Sequence, residues 1–589
     1  MKIIRKTLIK AMKALISMMP ELLLNKLKQN PKLVAAYSSN LHKSGLLYQL
    51  QTLEELERSY QDYQNEQDTV LSKLVIEQSD VEAFNCVLLI CAVDFSPTKL
   101  LATLKSAKQQ YTEFDELIIW CDASCKERIN TFLTEQSVFN CYVVSSLHDE
   151  LTQPLLAIKS CFVVYAGDIL HKYLAYVLAT TLQDSSKLAY VDTDTITADY
   201  NRQYPDFKPD WNPDLQLTNG YVSSGLYIKN ALDFINGPEL LNSNIVSVWL
   251  CQHYLNASTH NVVHIPQVLL SRPEKVAQFS QAKIQLELMY KNVAAVMPSS
   301  LPTLYLRWHL DYEPLVSIII PTRNGLALVK SCIESILDKT TYKNYEILLI
   351  DNSSDDAECI RYFEQLSMHS NISVFNYNAV FNYSAINNFA AKHAKGEVLA
   401  LVNNDIEVIE PDWLLNMVSH VMRDDIGCVG AKLLYGDNRI QHAGVVMGYG
   451  GGAGHGHKYF PGDHYGYMNR LIASQNYSAV TAACLLVTAN DFWAVGGLNE
   501  EKLSVAFNDV DLCLKVQQLG RRNLYCAEAI LYHHESVSRG HEDTPDKVLR
   551  FNAELNYLQT TWCDAIANDP AYNPNLTRRR ENFSIKPFR

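Results

Sequence analysis

The chain has 589 residues, 48% of them hydrophobic and 20% charged, with a formal net charge of −13. That length exceeds what one hydrophobic core serves, so two or more domains are expected. The acidic balance argues against a nucleic-acid binder, whose footprint would be basic. The 14 cysteines are scattered, form no Cys-x-x-Cys pair and sit mostly in apolar runs, as Cys86, Cys91 and Cys484 do. They read as reduced core residues of a reducing compartment. No apolar run is long enough to span a bilayer.

Residues 1–80 read as a helical N-terminal region. Lys2, Arg5, Lys6, Lys10 and Lys13 precede the first acid, Glu21, while Ile4, Leu8, Met12, Leu15 and Met19 recur at helical spacing. Residues 1–19 therefore suit either a helix lying on an anionic membrane surface or an amphipathic helix docked on the protein. A signal peptide fits poorly, because lysines interrupt any apolar region. Two regions of α/β pattern follow, a faint one over 85–300 and a clearer one over 314–560. They are separated by the proline-containing stretch 297–314, which reads as a linker. The tail, 561–589, is rich in Pro, Asn and Arg and reads as irregular.

In the clearer region VSIII (316–320) is a β-branched strand broken by PTRNG, after which Val329, Cys332, Ile333, Ile336 and Leu337 keep helical spacing. EILLI (346–350) ends in Asp351-Asn352-Ser353-Ser354, and VLALV (398–402) ends in Asn403-Asn404-Asp405. Strand, helix and strand at this spacing predict parallel βαβ units. Three successive strands then present polar ends at one sheet edge, where α/β sheets bind ligands. A carboxylate among amides suits a hard divalent cation shared with a diphosphate. Neither a Walker loop nor GxGxxG is present, which weighs against ATPase and dinucleotide readings.

The faint region repeats this plan. CVLLICAVDF, LIIWCDAS and CFVVYAGDIL parallel the three strands, setting Asp122 against Asp351 and Asp168 against Asp405 at nearly equal separations. The chemistry is thinner. PTRN becomes Ala92-Val93-Asp94-Phe95, and IVSVWLCQHYL carries no acid where a catalytic carboxylate is expected. Asp192 and Asp194 in YVDTDTI read as a polar strand end of a decayed copy.

The segments SIIIPTRN, ILLIDNSS, GEVLALVNND, VGGLNE, FNDVDLCLK and LYHHESVSRG, in that order, resemble the inverting family 2 glycosyltransferases of the GT-A fold. FNYSAINN, IQHAGVVMG, SAVTAACLLV and YNPNLT are similar to the bacterial branch that builds surface polysaccharides and includes rhamnosyltransferases. The resemblance implies an α/β fold with tandem, Rossmann-like, mostly parallel GT-A-like domains behind an N-terminal helical segment. It implies a nucleotide-sugar pocket formed by Pro321, Thr322, Arg323, Asn324, Asp351, Asn403 and Asn404. A divalent metal, Mg²⁺ or Mn²⁺, would be held by Asp405 and His533. The family's DxD motif is here Asn-Asn-Asp, so its first position has lost its charge. Asp509 matches the catalytic base, with Asn508 replacing a Glu. Glu500, Asp511, His442 and His534 fall near the acceptor or behind the liganding residues, and His534 is the alternative ligand to His533. The implied partners are a nucleotide-sugar donor and a lipid-linked or growing glycan acceptor in O-antigen- or capsule-like synthesis, with no nucleic acid. The implied location is the cytoplasm, including the inner face of its membrane.

The chemistry also stands on the residue types. A metal neutralises charge on a departing diphosphate, and a carboxylate takes the proton of an attacking hydroxyl. Asp509 and Asp511 lie two apart on a predicted helix and so point differently, and a capping or ion-pairing role suits Asp511. Gly450, Gly451, Gly452, Gly454 and Gly456 read as a flexible loop over the acceptor, and Trp493 as a core residue. Two other readings remain: a bifunctional enzyme with both copies active, and a non-catalytic glycan-binding or assembly protein.

Overall fold

The structure is a computed structural model. It describes residues 51–77, 84–136, 140–147, 159–197, 199, 201–235, 245–254, 261–273, 293–297, 301–534 and 545–587, with isolated positions among the first thirty. The amphipathic helix expected over residues 1–19 lies, but for a few positions, outside the described residues. Among the described residues no helix is long and apolar enough to cross a membrane.

Two α/β units dominate. In the first, Cys86–Ala92, Glu116–Cys121, Tyr142–Val144 and Ser160–Tyr165 are the leading strands; in the second they are Val316–Thr322, Tyr345–Asp351, Ile372–Asn376 and Val398–Val402. Two features of the second unit have no counterpart among the described residues of the first, the small hairpin Val445–Met447/Ala453–His455 and the added strand Gln475–Tyr477. With these set aside and each unit's strands numbered along the chain, both sheets run 3-2-1-4-8-6-9-5, the seventh strand pairing with the sixth. Every pairing also has the same sense. The first four strands are parallel, the fourth and eighth antiparallel, the sixth and ninth parallel, and the fifth and ninth antiparallel. The fold is thus tandem and α/β, as the apolar strand runs predicted. Its central strands are buried on both faces, which is why they read as continuous apolar runs.

The register confirms the equivalence of the repeated positions. Asp168 immediately precedes the fifth strand of the first unit (Ile169–Leu170), and Asp405 immediately precedes that of the second (Ile406–Val408). Ile169 faces Ser271 where Ile406 faces His533.

Helix Leu53–Glu77 packs on the first unit through Tyr60, Tyr63, Gln67, Leu71 and Val75, one face at helical spacing. Gln67 closes that contact by pairing with both the N–H and the C=O of Val268. The stretch read as a linker is more than that. Tyr305–Trp308 pairs antiparallel with Val293–Met297, and Leu304 and Leu306 are buried against Leu217, Val248 and Cys251. Its aromatic and aliphatic content outweighs its prolines. The tail is irregular but packed: Asn573 donates to Asp192 and to the C=O of Lys208, and Asn575 to the C=O of Pro266, so it straps the second unit to the first.

Candidate active site at the carboxyl edge of the second sheet

Three strand ends meet here. Thr322 lies opposite Asp351 in register, and the Asn404 amide donates to the Thr322 hydroxyl at 2.9 Å, tying the first and fourth strands together. Asp351 is largely buried, and one of its oxygens accepts the N–H of Ser354. Asn324 takes a left-handed conformation (φ 51°). Its side chain donates to Asp355 and accepts the N–H groups of Asp355 and Asp356, which folds PTRN against DNSS. Pro321 is half-buried and Arg323 exposed at this edge.

Asp405 is 5% exposed. The strand Arg522–His533 returns to the sheet beside Ile406–Val408, and its last residue, His533, meets Asp405: Nε2 lies 3.2 Å from Oδ1. The Asn403 amide is also 3.2 Å from that Nε2. The alternation of a strand turns His534 the other way, to Glu407 at 3.1 Å. A carboxylate oxygen, an imidazole nitrogen and an amide thus converge within hydrogen-bonding distance. Rotating the Asn403 amide presents its oxygen in place of its nitrogen. The separation of 3.2 Å is close to the edge, about 3 Å, of an octahedron with bonds of about 2.1 Å. The donor set fits a divalent cation.

Asp509 approaches from another direction. It lies in the first turn of helix Asn508–Gln518, half-buried. Its Oδ2 accepts the N–H of Ala482 and its Oδ1 that of Val510. Burial raises its carboxyl above the ordinary range, outweighing these N–H donors. The next residue, Ala483, accepts the N–H of Asn403. Neighbouring peptide groups therefore tie Asp509 and the Asn403–Asp405 cluster to one segment. Asp511 is elsewhere. It is buried, accepts from the Trp562 indole at 2.9 Å and pairs with Lys515 at 3.1 Å.

The remaining candidates support rather than line the edge. Glu500 accepts the amide of Asn388 through its carboxylate and that of Asn382 through its C=O. This pins the helix of FNYSAINN to the turn holding Gly497, where φ is +70° and a Cβ would lie 2.6 Å from Asn388 Oδ1. His442 is fully buried, its Nδ1 2.8 Å from His455 Nδ1. Burial, with Lys458 and His533 adding to it, depresses His455 to about 3, so neither imidazole is charged at neutral pH. The glycine run expected to be a flexible loop forms the hairpin Val445–Met447/Ala453–His455 instead, and Trp493, expected in the core, is 40% exposed.

One supporting residue escaped sequence reasoning. The Glu554 carboxylate, 2% exposed, accepts the Ser504 hydroxyl and the N–H groups of Val505 and Ala506. It thereby fixes the loop that turns, at left-handed Phe507 (φ 60°), into the helix of Asp509. The available signal was an acid on the apolar stripe of its helix, four residues before buried Leu558.

In the first unit Asp122, the counterpart of Asp351, is exposed, whereas Asp168, the counterpart of Asp405, and two further buried carboxylates are engaged in structural pairs. Asp168 accepts from Tyr165 N–H and Ser224 and pairs with Arg272. Asp192 holds Lys208 N–H, His264 and Asn573. Burial pulls His264 down, but Asp192 and Asp210 raise it to about 9, so it is a cation at neutral pH. Asp194 is occupied by Arg202 and Tyr60.

The family profile described as Glycosyl transferase family 2 matches residues 317–472. The protein y4gI of Sinorhizobium fredii, named as uncharacterized, is 42% identical over 433 residues, which is 70% of this chain and 48% of that one. The O-antigen biosynthesis protein RfbC of Myxococcus xanthus is 31% identical over 524 residues, 82% of this chain and 40% of that one. The chain therefore spans less than half the length of these two curated relatives. Among solved structures, the mannosyltransferase PcManGT from Pyrobaculum calidifontis, in complex with GDP-Man and Mn²⁺, is 16% identical. That match covers 45% of this chain and 68% of that one, with a TM-score of 0.33.

Proposed function

We propose that the second unit, whose residues 317–472 match the Glycosyl transferase family 2 profile, moves a sugar from a nucleotide-sugar donor to a glycan acceptor, with inversion, in the synthesis of a bacterial surface polysaccharide. The observation that carries the reading is the convergence of Asp405 and His533 at one sheet edge, with Asp509 tied to the same segment. Asp405, His533 and the Asn403 oxygen would hold a Mg²⁺ or Mn²⁺ ion. That ion, when bound, supplies Lewis-acid neutralisation of the departing diphosphate. The PTRN turn and Asp351 position the nucleotide. Asp509 accepts the proton of the attacking hydroxyl as its oxygen bonds the anomeric carbon and the nucleoside diphosphate leaves from the opposite face. One displacement inverts the centre. The name of the Myxococcus xanthus relative supports the pathway.

In this reading the first unit is catalytically silent. Its support is the engagement of Asp168, Asp192 and Asp194 in structural pairs and the replacement of His533 by Ser271 at the equivalent position. Calorimetric titration with nucleoside diphosphates and Mn²⁺ tests both statements. One nucleotide per chain is expected, and its binding should be lost in chelator and strongly weakened in Asp405→Ala. A stoichiometry of two would make the enzyme bifunctional, while undiminished nucleotide binding in chelator would overturn the metal role.

The basic, apolar periodicity of residues 1–19 further supports peripheral contact with an anionic membrane, where a lipid-linked acceptor resides. Reversing the charges of Lys6, Lys10 and Lys13 should release the protein from anionic vesicles. Unchanged co-sedimentation would remove this contact from the proposal.

A further inference from the structure

A second cluster of metal-ligand types lies behind the candidate active site. His420 is on helix Trp413–Val421, and Cys526 and Glu528 are on strand Arg522–His533. A ligand atom from each lies within 4.8 Å of the other two. All three residues are buried, at 2%, 0% and 6% exposure. Among the described residues neither ring nitrogen of His420 has a hydrogen-bond partner, nor does Oε1 of Glu528. Leaving buried polar atoms unpaired is costly, and here three of them sit in one cluster. The other oxygen, Oε2, accepts from the Ser474 hydroxyl and lies 3.5 Å from Cys526 Sγ. With zinc–sulfur and zinc–oxygen bonds of about 2.3 and 2.0 Å, the sulfur–oxygen edge of a zinc tetrahedron is about 3.5 Å.

The backbone is shaped around these residues. Ala431 faces Cys526 but Lys432 faces Ile530, so Ala527, Glu528 and Ala529 are extra residues in a bulge. Arg307 and Arg423 are the cations facing the cluster. Each is already committed, Arg307 to Asp412 and Asn416, Arg423 to Asp214 and Asp425.

We propose that His420, Cys526 and Glu528 bind one zinc-class divalent cation, distinct from the cation of the sheet edge. A thiolate beside an imidazole and a carboxylate selects a zinc-class ion, because soft sulfur is a poor ligand for hard magnesium. Thiolate and carboxylate together cancel the charge of a divalent ion, so the buried centre is neutral. Tetrahedral zinc completes its fourth position with water. Burial holds the Cys526 thiol and the Glu528 carboxyl above their ordinary ranges, so binding releases protons. The ion staples the helix to the bulge and sets the register of the strand that ends at His533.

The full-length protein, stripped with chelator and reloaded with Co²⁺, tests this independently of transferase activity. A thiolate-to-cobalt charge-transfer band at one cobalt per chain is expected. It should persist in Asp405→Ala and in the Cys125→Ser/Cys563→Ser double variant, and vanish in Cys526→Ser. Glu528→Gln should keep the band but raise the Co²⁺ dissociation constant at least tenfold. The proposal is overturned if wild type gives no band, if the double variant loses it, or if Cys526→Ser retains it. Should Cys526→Ser not fold, the Glu528→Gln affinity and the double variant decide the matter alone.

Discussion

Replacing Asp509 by Asn should lower kcat by about 10²–10⁴-fold, the usual contribution of a positioned general base, while leaving nucleotide binding and KM near their wild-type values. The amide keeps the shape of the carboxylate and its capacity to accept one N–H, so the 482–483 segment stays in place. Basicity alone is lost, and it matters only as the hydroxyl proton departs. Burial raises the Asp509 carboxyl, which fixes the sign of the pH dependence. Activity should rise with pH as Asp509 loses its proton, and the acid limb of kcat/KM should lie above the ordinary carboxylate value of about 3.9. Asp511→Asn is the contrasting variant. Its partners are Trp562 and Lys515, so stability should fall while the turnover of folded protein holds. Near-normal turnover in Asp509→Asn with a dead Asp511→Asn would transfer the base to Asp511.

Asp214→Ala should destabilise the protein by about 3 kcal/mol, the lower end of the range for breaking a buried ion pair. Asp214 belongs to the first unit and is 2% exposed. It pairs with Arg423 and Arg522 of the second unit and accepts the amide of Asn476 at 2.8 Å. Both guanidiniums keep Asp425 as a partner, which is why the lower end applies. Burial pushes the Asp214 carboxyl up, but Arg423 and Arg522 outweigh it and hold it well below the usual range. A depressed folded pKa contributes stability that is present above the unfolded value of about 3.9 and is lost as pH falls through the folded one. Scanning calorimetry should show a lower, broadened transition for Asp214→Ala at pH 7, with the gap to wild type closing in strong acid. An unchanged transition at pH 7 would mean that this pair does not hold the two units together.

The sequence by itself determined the strands, their parallel order and the shared edge of their polar ends. VSIII, EILLI and VLALV are strands because β-branched and apolar runs of that length bury both faces of a sheet, and the intervening helices force parallel crossovers. The repeat was legible for the same reason, since Asp122 and Asp168 keep their places relative to strands that follow identical rules. What only the tertiary structure decided were matters of long-range return. No local pattern says whether His533 or His534 faces Asp405; the pairing of Ile406 with His533 does. Nor does spacing reveal that Ala482 and Ala483 join Asp509 to Asn403, or that Glu554 anchors the loop before Asp509. His420, Cys526 and Glu528 passed unremarked because their helix and strand lie a hundred residues apart along the chain. Periodicity reports which face of an element is buried, whereas the partners on that face are fixed by sheet closure and by the packing of one unit on the other.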